Sequence, residues 1–515
     1  MEERFLPIGI QTFEDIRDRN AVYVDKTELV YRMVKTGKYY FLSRPRRFGK
    51  SLLVSTLRSY FEGRKDLFEG LAMAQLEKEW KKYPVLRFDM SRVRINNESS
   101  VHALLDSLLT QYEDAYGVSS ASNYAVRLYN LIVGAKARMA QNVVILIDEY
   151  DAPLLDTMNN KPLFEFVRGE MRNFFSPLKE ADGDLHFLFL TGISKFSQLS
   201  IFSELNNLTT ITMNNAYAAI CGFTRDEIVT QLAPEIDNLA KAMNVSVNTA
   251  LMRLKRKYDG YHFCESSQDI YNPFSLLNSL QEKKLRNYWF STGTPTHLTK
   301  MLSQYTLRPE DLEGFSASEM DFYVPIEHAE TPIPVLYQSG YLTIKKFDGY
   351  DYILGFPNEE VRVSFIKGLA PYYTFKSASE NNSYIQKMLR AIRNHDLDTA
   401  MKLLRSFFSS IPYNAEKQDE DHYKTIFYLI FTLASEYSVR TEQCSAAGRC
   451  DALIETEDTV YVFEFKLDGT AEEALKQIDD KGYAIQYEAG DKKIVKVGVN
   501  FEQDKRTIER WVVAE

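Results

Sequence analysis

The sequence predicts an α/β chain: an N-terminal parallel sheet with helices on both faces, an α-rich connecting domain that admits a winged-helix element, and a smaller C-terminal α/β domain. Three observations carry that expectation. Short apolar runs alternate with helix-like stretches over roughly the first 230 residues; one such run leads into a Gly-Lys-Ser turn; and a strand–strand–helix–strand pattern closes the chain. A chain of 515 residues is also too long for one hydrophobic core. The changes of pattern place the divisions at 1–235, 236–375 and 376–515.

In order along the chain, Tyr39 to Leu42 is an apolar run ending in the turn Ser43 to Gly49, followed by the helix-like SLLVSTLRSYFEG. Pro84 to Met90, Val143 to Ile147 and Leu185 to Leu190 repeat the pattern, each bounded by polar or turn residues. Apolar runs of this length, spaced by helices, are what strands of a parallel sheet require when both faces are covered. From about Asn238 to Phe375 helical segments dominate, with turn clusters at Tyr258–Gly260 and Thr292–Pro295 and short strands expected at Tyr341 to Ile344 and Tyr352 to Leu354. Helical spacing resumes from about Ser377 to Ser438, as at Met388, Leu389, Ile392 and Leu404, Phe407, Phe408.

The stretch from Arg44 to Ser51, RPRRFGKS, follows a strand and opens a helix, the context a phosphate-binding loop needs. Loop and helix N-terminal N–H groups would surround phosphates, Lys50 would reach the β- and γ-phosphates, and Ser51 would ligate Mg²⁺. Gly49 permits close backbone approach. The usual leading Gly is replaced by Arg44. The strand Val143 to Ile147 then runs into Asp148 and Glu149, a Walker B pattern. In a parallel sheet these acids arrive where the loop is, with Asp148 holding Mg²⁺ through water and Glu149 positioning or deprotonating the attacking water. A solvated acidic turn, Asp148 to Asp151, is the bland alternative. At the end of the next strand, Ser194 is the candidate for sensing the γ-phosphate, against a plain turn.

These blocks carry a resemblance. YVDKT (Tyr23 to Thr27), SRPRRFGKS, LIDEYD (Leu146 to Asp151) and TGISKFSQLSIFSELNNL (Thr191 to Leu208), with YDGYHF and YNPFSLL further on, resemble the bacterial AAA-ATPase-like family over about residues 5–275. Its members are related to the archaeal-type and STAND ATPases. The resemblance implies a P-loop NTPase sheet with ATP and Mg²⁺ as ligands, and tolerates Arg at position 44. Arg46 and Arg47 would then supply transition-state charge or touch a neighbouring subunit; salt bridges bracing the loop are the equal alternative.

Near the C-terminus, Asp451-Ala-Leu-Ile and Val460 to Lys466 flank a short polar turn and read as a hairpin. Alternation puts Glu464 and Lys466 on one face. With Glu457 and Asp458 as a two-residue turn, Asp451 falls opposite Glu464, a pairing that repels unless a divalent cation sits between the acids. Asp then Glu-x-Lys across a hairpin is the PD-(D/E)xK arrangement. The two acids would bind Mg²⁺, and Lys466 would hold the nucleophilic water or stabilise the transition state. Glu442 is a candidate extra acid. In the helix-like Thr470 to Gln486, Gln477 and Lys481 lie one turn apart and could face a phosphate backbone. Residues 380–515 resemble the PD-(D/E)xK domain fused to such ATPases, a restriction-endonuclease-like fold whose helix often carries a Gln and a Tyr; Gln477 and Tyr483 fit, which implies nucleic-acid contact. A structural hairpin with a surface Glu–Lys pair is the alternative.

Composition narrows the partners. The net charge of −9 argues against coating nucleic acid with the whole surface, though not against a local basic groove. Thirty-two Phe and thirty-two Tyr suit packed cores first and base stacking second. The four cysteines form no CxxC pair and the seven histidines no ligand spacing, so reduced thiols in a cytoplasmic protein are expected. The N-terminus has no apolar signal core, and no apolar run reaches membrane-spanning length. The basic run Arg253 to Lys257 is either a phosphate contact or a solvated helix face. Together these readings anticipate ATP hydrolysis coupled to a Mg²⁺-dependent nuclease acting on DNA, with RNA second and a homo-oligomer left open. The rival is a STAND-like switch whose C-terminal module binds without cutting.

Overall fold

The computed structural model describes residues 4–193, 208–266, 268–289, 309–322, 324, 329, 331–410, 420–434, 439–441, 444–445, 448–449, 451–456, 458–466, 469–488, 490–502 and 507–514. Ser194, Glu442, the Thr292–Pro295 cluster and most of the Thr191 to Leu208 block lie outside them. The chain forms two compact units, Met1–Trp289 with Gly314–Glu359, and Phe290–Glu313 with Glu360–Glu515.

The first unit is built on five strands: β1 (Tyr39–Ser43), β2 (Val85–Asp89), β3 (Val143–Asp148), β4 (Leu185–Gly192) and β5 (Thr209–Thr210), ordered β2-β3-β4-β1-β5 with every neighbouring pair parallel. All five residues of β1 and all six of β3 are buried. Since successive side chains point to opposite faces, both faces of the sheet are covered, as the apolar runs predict. Helices α1 (Lys50–Phe61), α2 (Glu98–Tyr116) and α3 (Tyr124–Met139) pack against these strands. Asn97 caps α2 in a reciprocal capping box with Ser100, and Gly117 ends it in the left-handed region.

A helical layer follows, α4 (Arg225–Gln231), α5 (Ala233–Ala242), α6 (Val247–Tyr258) and α7 (Pro273–Glu282). Its core of Ile228, Leu232, Ile236, Leu254 and Leu276 also takes in Leu6, with Ile8 and Val22 packed against it. The N-terminal segment is thus a wall of this layer, pinned by Arg4–Glu235 at 2.5 Å and Lys26–Glu227 at 2.6 Å. Residues 315–355 add α8 (Ile333–Gln338) and an antiparallel sheet of β6 (Phe315–Ala317), β7 (Thr343–Phe347) and β8 (Tyr352–Gly355), ordered β6-β8-β7.

In the second unit, α9 (Glu359–Thr374), α10 (Ala378–Arg393), α11 (Leu397–Ser409) and α12 (Glu420–Ala434) precede the strands β9 (Val439–Thr441), β10 (Cys444–Ser445), β11 (Gly448–Arg449), β12 (Ala452–Glu455), β13 (Thr459–Lys466), β14 (Lys493–Glu502) and β15 (Thr507–Ala514). The five-stranded sheet runs β15-β14-β13-β12-β9. Strands β13 and β14 are parallel and are linked through α13 (Ala471–Asp480), the crossover that parallel neighbours need. That helix ends at Asp480, short of the expected Gln486, and β15 is a strand the sequence reading did not anticipate. Among the described residues no helix is long and apolar enough to cross a membrane.

Candidate functional site

In the first unit the carboxyl ends of β1, β3 and β4 share one edge, with β4 between the other two. The loop after β1 makes its tight turns at Arg47 (φ 70°) and Gly49 (φ 92°), and Gly49 caps α1. Left-handed residues alternating with others turn successive N–H groups toward one concavity, and the first turn of α1 holds no acid to oppose an anion. Arg44 has no positive φ, so a Gly is not needed there. Its guanidinium instead turns inward, 1% exposed, donating to the carbonyls of Ser43 at 2.9 Å and Thr212 at 2.8 Å and lying 4.1 Å over the Phe263 ring.

The Lys50 ammonium is buried and donates to the carbonyls of Arg44 at 3.0 Å and Pro45 at 3.2 Å. Burial pushes its pKa down, against the pull of Glu149, Asp148 and Asp151. Asp148 is 1% exposed, and burial pushes its carboxyl up, opposed by the Ser51 hydroxyl and Lys50. One of its oxygens, Oδ1, has no protein partner; Arg87 stands 3.7 Å from the other. Glu149 adopts φ 47°, a conformation that costs a non-glycine residue energy. Burial pushes its carboxyl up as well.

Lys50, Ser51, Gly49, Arg46, Arg47 and Glu149 line one cavity of ≈ 400 Å³. Its other wall is apolar, with Ile8 and Val22 from the N-terminal segment and Phe223 and Phe274 from the helical layer. Arg46 and Arg47 are exposed; Arg47 lies 4.8 Å over Phe274, and the Arg46 carbonyl accepts from Trp289 Nε1 at 3.2 Å. Among the described residues neither makes the bracing salt bridge of the alternative reading. The cavity therefore joins a cationic, N–H-rich end to an apolar slot, the two halves a nucleotide presents. Thr191 is a candidate that the sequence alone did not single out. It closes β4 between β1 and β3, fully buried, with its hydroxyl lacking a partner. Its signal was its place at the strand's last buried positions rather than beyond them.

In the second unit the hairpin has the expected register. Ala452 pairs with Phe463 and Leu453 with Val462, and Thr456 N donates to the Thr459 carbonyl at 2.8 Å, so Asp451, just before the strand, falls in register with Glu464. Asp451 Oδ2 accepts from Phe465 N at 2.9 Å. Glu464 is 3% exposed, and burial together with the Asp451 charge pushes its carboxyl up to about 7. Gln477 reaches back from α13 to bond both neighbours: its Nε2 donates to Glu464 Oε1, and its Oε1 accepts from Lys466 Nζ at 2.5 Å. Glu464 Oε2 has no protein partner. Gln477 thus faces the carboxylate and the lysine, not outward beside the exposed Lys481. Tyr483 lies past the end of α13, 3% exposed in the core with Leu453, Val462 and Ile478, so its ring packs under the sheet.

What lets α13 come this close is Gly498, the partner of Glu464 on β14. A Cβ there would overlap the Ala471 carbonyl and lie 2.6 Å from Leu475 N. Gly498→Ala should therefore push α13 outward, part Gln477 from Glu464 and Lys466, and weaken Mn²⁺ binding by calorimetry about tenfold, the scale of losing a partner of a metal ligand. ATP hydrolysis by the same variant should be unchanged.

Both centres fit a divalent cation. Mg²⁺ is commonly held by one or two carboxylates with water completing its shell. Asp148 with Ser51, and Glu464 with Asp451, supply that number, each pair including a buried carboxylate oxygen that lacks a protein partner. Among the described residues no group of three or more His, Cys, Asp or Glu side chains is placed to hold a metal ion.

Comparison with known proteins agrees with this division. A model of predicted AAA-ATPases matches residues 7–202, and one of the PD-(D/E)XK nuclease superfamily matches residues 418–511. The protein described as "Uncharacterized protein in vnfD 5'region" of Azotobacter chroococcum mcd 1 is 35% identical over 534 aligned positions, covering 100% of this chain and 99% of its own. The chain belongs to the same family as that Azotobacter protein, and it joins an AAA-ATPase-like domain to a PD-(D/E)XK nuclease superfamily domain.

Proposed function

We propose that the protein binds and hydrolyses ATP in its first unit and cuts phosphodiester bonds of DNA, with RNA as second choice, at a Mg²⁺-dependent centre in its second. One observation carries the reading: each unit buries a carboxylate with one oxygen lacking a protein partner, Asp148 Oδ1 at the end of β3 with Lys50 acting on it, and Glu464 Oε2 near the end of β13 with Lys466 acting on it. An unsatisfied buried oxygen costs about 1–3 kcal/mol, more when charged, and such a cost is tolerated where a ligand removes it.

In the ATPase unit the loop amides and Lys50 bind the phosphates, the apolar wall takes the base, and Asp148 with Ser51 would hold Mg²⁺. Glu149 orients and deprotonates the attacking water, and Thr191 is placed to bond the terminal phosphate or that water. In the nuclease-like unit Asp451 and Glu464 would hold Mg²⁺, which supplies an acidified water and neutralises charge on the scissile phosphate. Lys466, fixed by Gln477, donates to the water or to the phosphate oxygen that gains charge. ATP binding acts as the licence for cleavage, a coupling supported only by the two modules sharing one chain.

The test is a plasmid, single-strand and RNA cleavage assay with Mg²⁺ or Mn²⁺, with and without ATP. Wild type should cut, Glu464→Ala should not, and Lys50→Ala should lose any response to ATP. ATP turnover with no cleavage of any substrate would leave the second unit a binding platform and the protein a switch.

A further inference from the structure

The ATPase and nuclease readings leave the Arg44 side chain unused. A buried cation is costly unless an opposite charge accompanies it. Among the described residues the guanidinium meets no carboxylate: it lies over the Phe263 ring and donates to main-chain carbonyls, Ser43 and Thr212 at 2.9 and 2.8 Å and, at the limit of bonding, Tyr217 at 3.4 Å and Ala218 at 3.5 Å. The described titratable groups that act on it are the thiols of Cys221 and Cys264 and the phenol of Tyr337, with no carboxylate among them. Lys50, bonded to the Arg44 carbonyl, adds a second cation to the same loop.

Beside Arg44 is a cavity of ≈ 30 Å³ whose lining includes Ser43, Thr212, Tyr337 and Thr343. Three donors there lack an acceptor among the described residues. Arg44 Nε has no partner. The Thr212 hydroxyl accepts from Ser43 N at 2.9 Å and donates to nothing. The Tyr337 phenol has no bonded acceptor, and burial pushes it up, so it stays protonated. By contrast Thr343 is satisfied, donating to the His262 carbonyl and accepting from His262 N.

Donors in excess around an uncompensated cation call for an occupant that only accepts. Water would add two donors of its own, whereas a halide adds none. On this measure about 10–15 Å³ is enough for one water-sized occupant. The cavity is therefore large enough for a monatomic ion. We propose that it is a structural site for a small monovalent anion of chloride size, which neutralises Arg44 and locks the start of the phosphate-binding loop onto residues 212–218.

The full-length protein should be melted at constant ionic strength while gluconate is replaced by chloride or bromide. A rise of a few degrees along a saturating curve is expected, as for any ligand of the folded state. Thr212→Val and Tyr337→Phe each remove one donor with little change of shape, and should raise the halide midpoint severalfold. Arg44→Met should abolish the response. Crystals soaked in bromide should show an anomalous peak within hydrogen-bond reach of Arg44 Nε, a result that stands even if Arg44→Met does not fold. Equal melting in halide and gluconate, a rise that never saturates, a response that survives Arg44→Met, or a water where the bromide should be would each overturn the proposal.

Discussion

Replacing Lys50 by Ala should abolish ATP turnover while leaving the fold intact. Among the described lysines and arginines of the cavity, Lys50 is buried without a salt-bridge partner; Arg46 and Arg47 share the cavity but are exposed, and Lys26 is tied to Glu227. In water-excluded surroundings a preorganised donor aimed at developing charge contributes about 10²–10³ in rate, and a loss of that size is expected in kcat. Stability should change little. Lys50 donates only to two main-chain carbonyls and bears the cost of its burial, so its removal exchanges weak bonds for relief from desolvation. Lys50→Arg separates charge from shape: a planar guanidinium does not fit where a compact ammonium sits under the loop carbonyls, and this variant should be equally inactive. Steady-state hydrolysis, nucleotide titration and a melting curve for each variant make the check. Turnover within threefold of wild type in Lys50→Ala would remove the loop from the catalytic account.

Glu464→Gln should have the second largest effect and a more particular signature. It retains the shape of the side chain and removes the charge, so Mn²⁺ binding in the second unit should be lost and any cleavage should fall by about two to three orders of magnitude. Its stability should depend on pH in a direction fixed by burial. In the folded chain the Glu464 carboxyl holds its proton up to about 7, against an ordinary value of 4.5. Between those values the folded state binds more protons than the unfolded, so without divalent metal the wild type loses stability as pH rises through this window. The amide of the variant does not titrate. Melted in chelator, the two proteins should match below about pH 4.5, and the variant should become progressively the more stable up to about pH 7, with the difference levelling off above it. A difference that is flat, or that runs the other way, would mean Glu464 is not the buried, crowded acid the hairpin makes it.

The sequence by itself determined the main strands of the first sheet and which residues stand at their ends. Val143 to Asp148 could only be a strand buried on both faces, and two carboxylates at its end had to reach the ligand edge of a parallel sheet. The hairpin register was legible for the same reason: a two-residue turn fixes which residues oppose each other, so Asp451 and Glu464 follow by counting. Local patterns record such things because period and turn geometry are local.

Only the tertiary structure decided what depends on distant chain. That β4 lies between β1 and β3, and so brings Thr191 to the loop, is a matter of strand order, which no local pattern encodes. The inward turn of Arg44 rests on carbonyls about 170 residues away. Gln477 looked like an outward helix residue until Gly498, a glycine on a strand 21 positions later, let α13 settle against Glu464. Tyr483 looked like a partner for nucleic acid until the helix stopped at Asp480 and its ring turned into the core. Each outcome depends on how closely two elements approach, a quantity set by packing across the sheet and not by the spacing of residues along the chain.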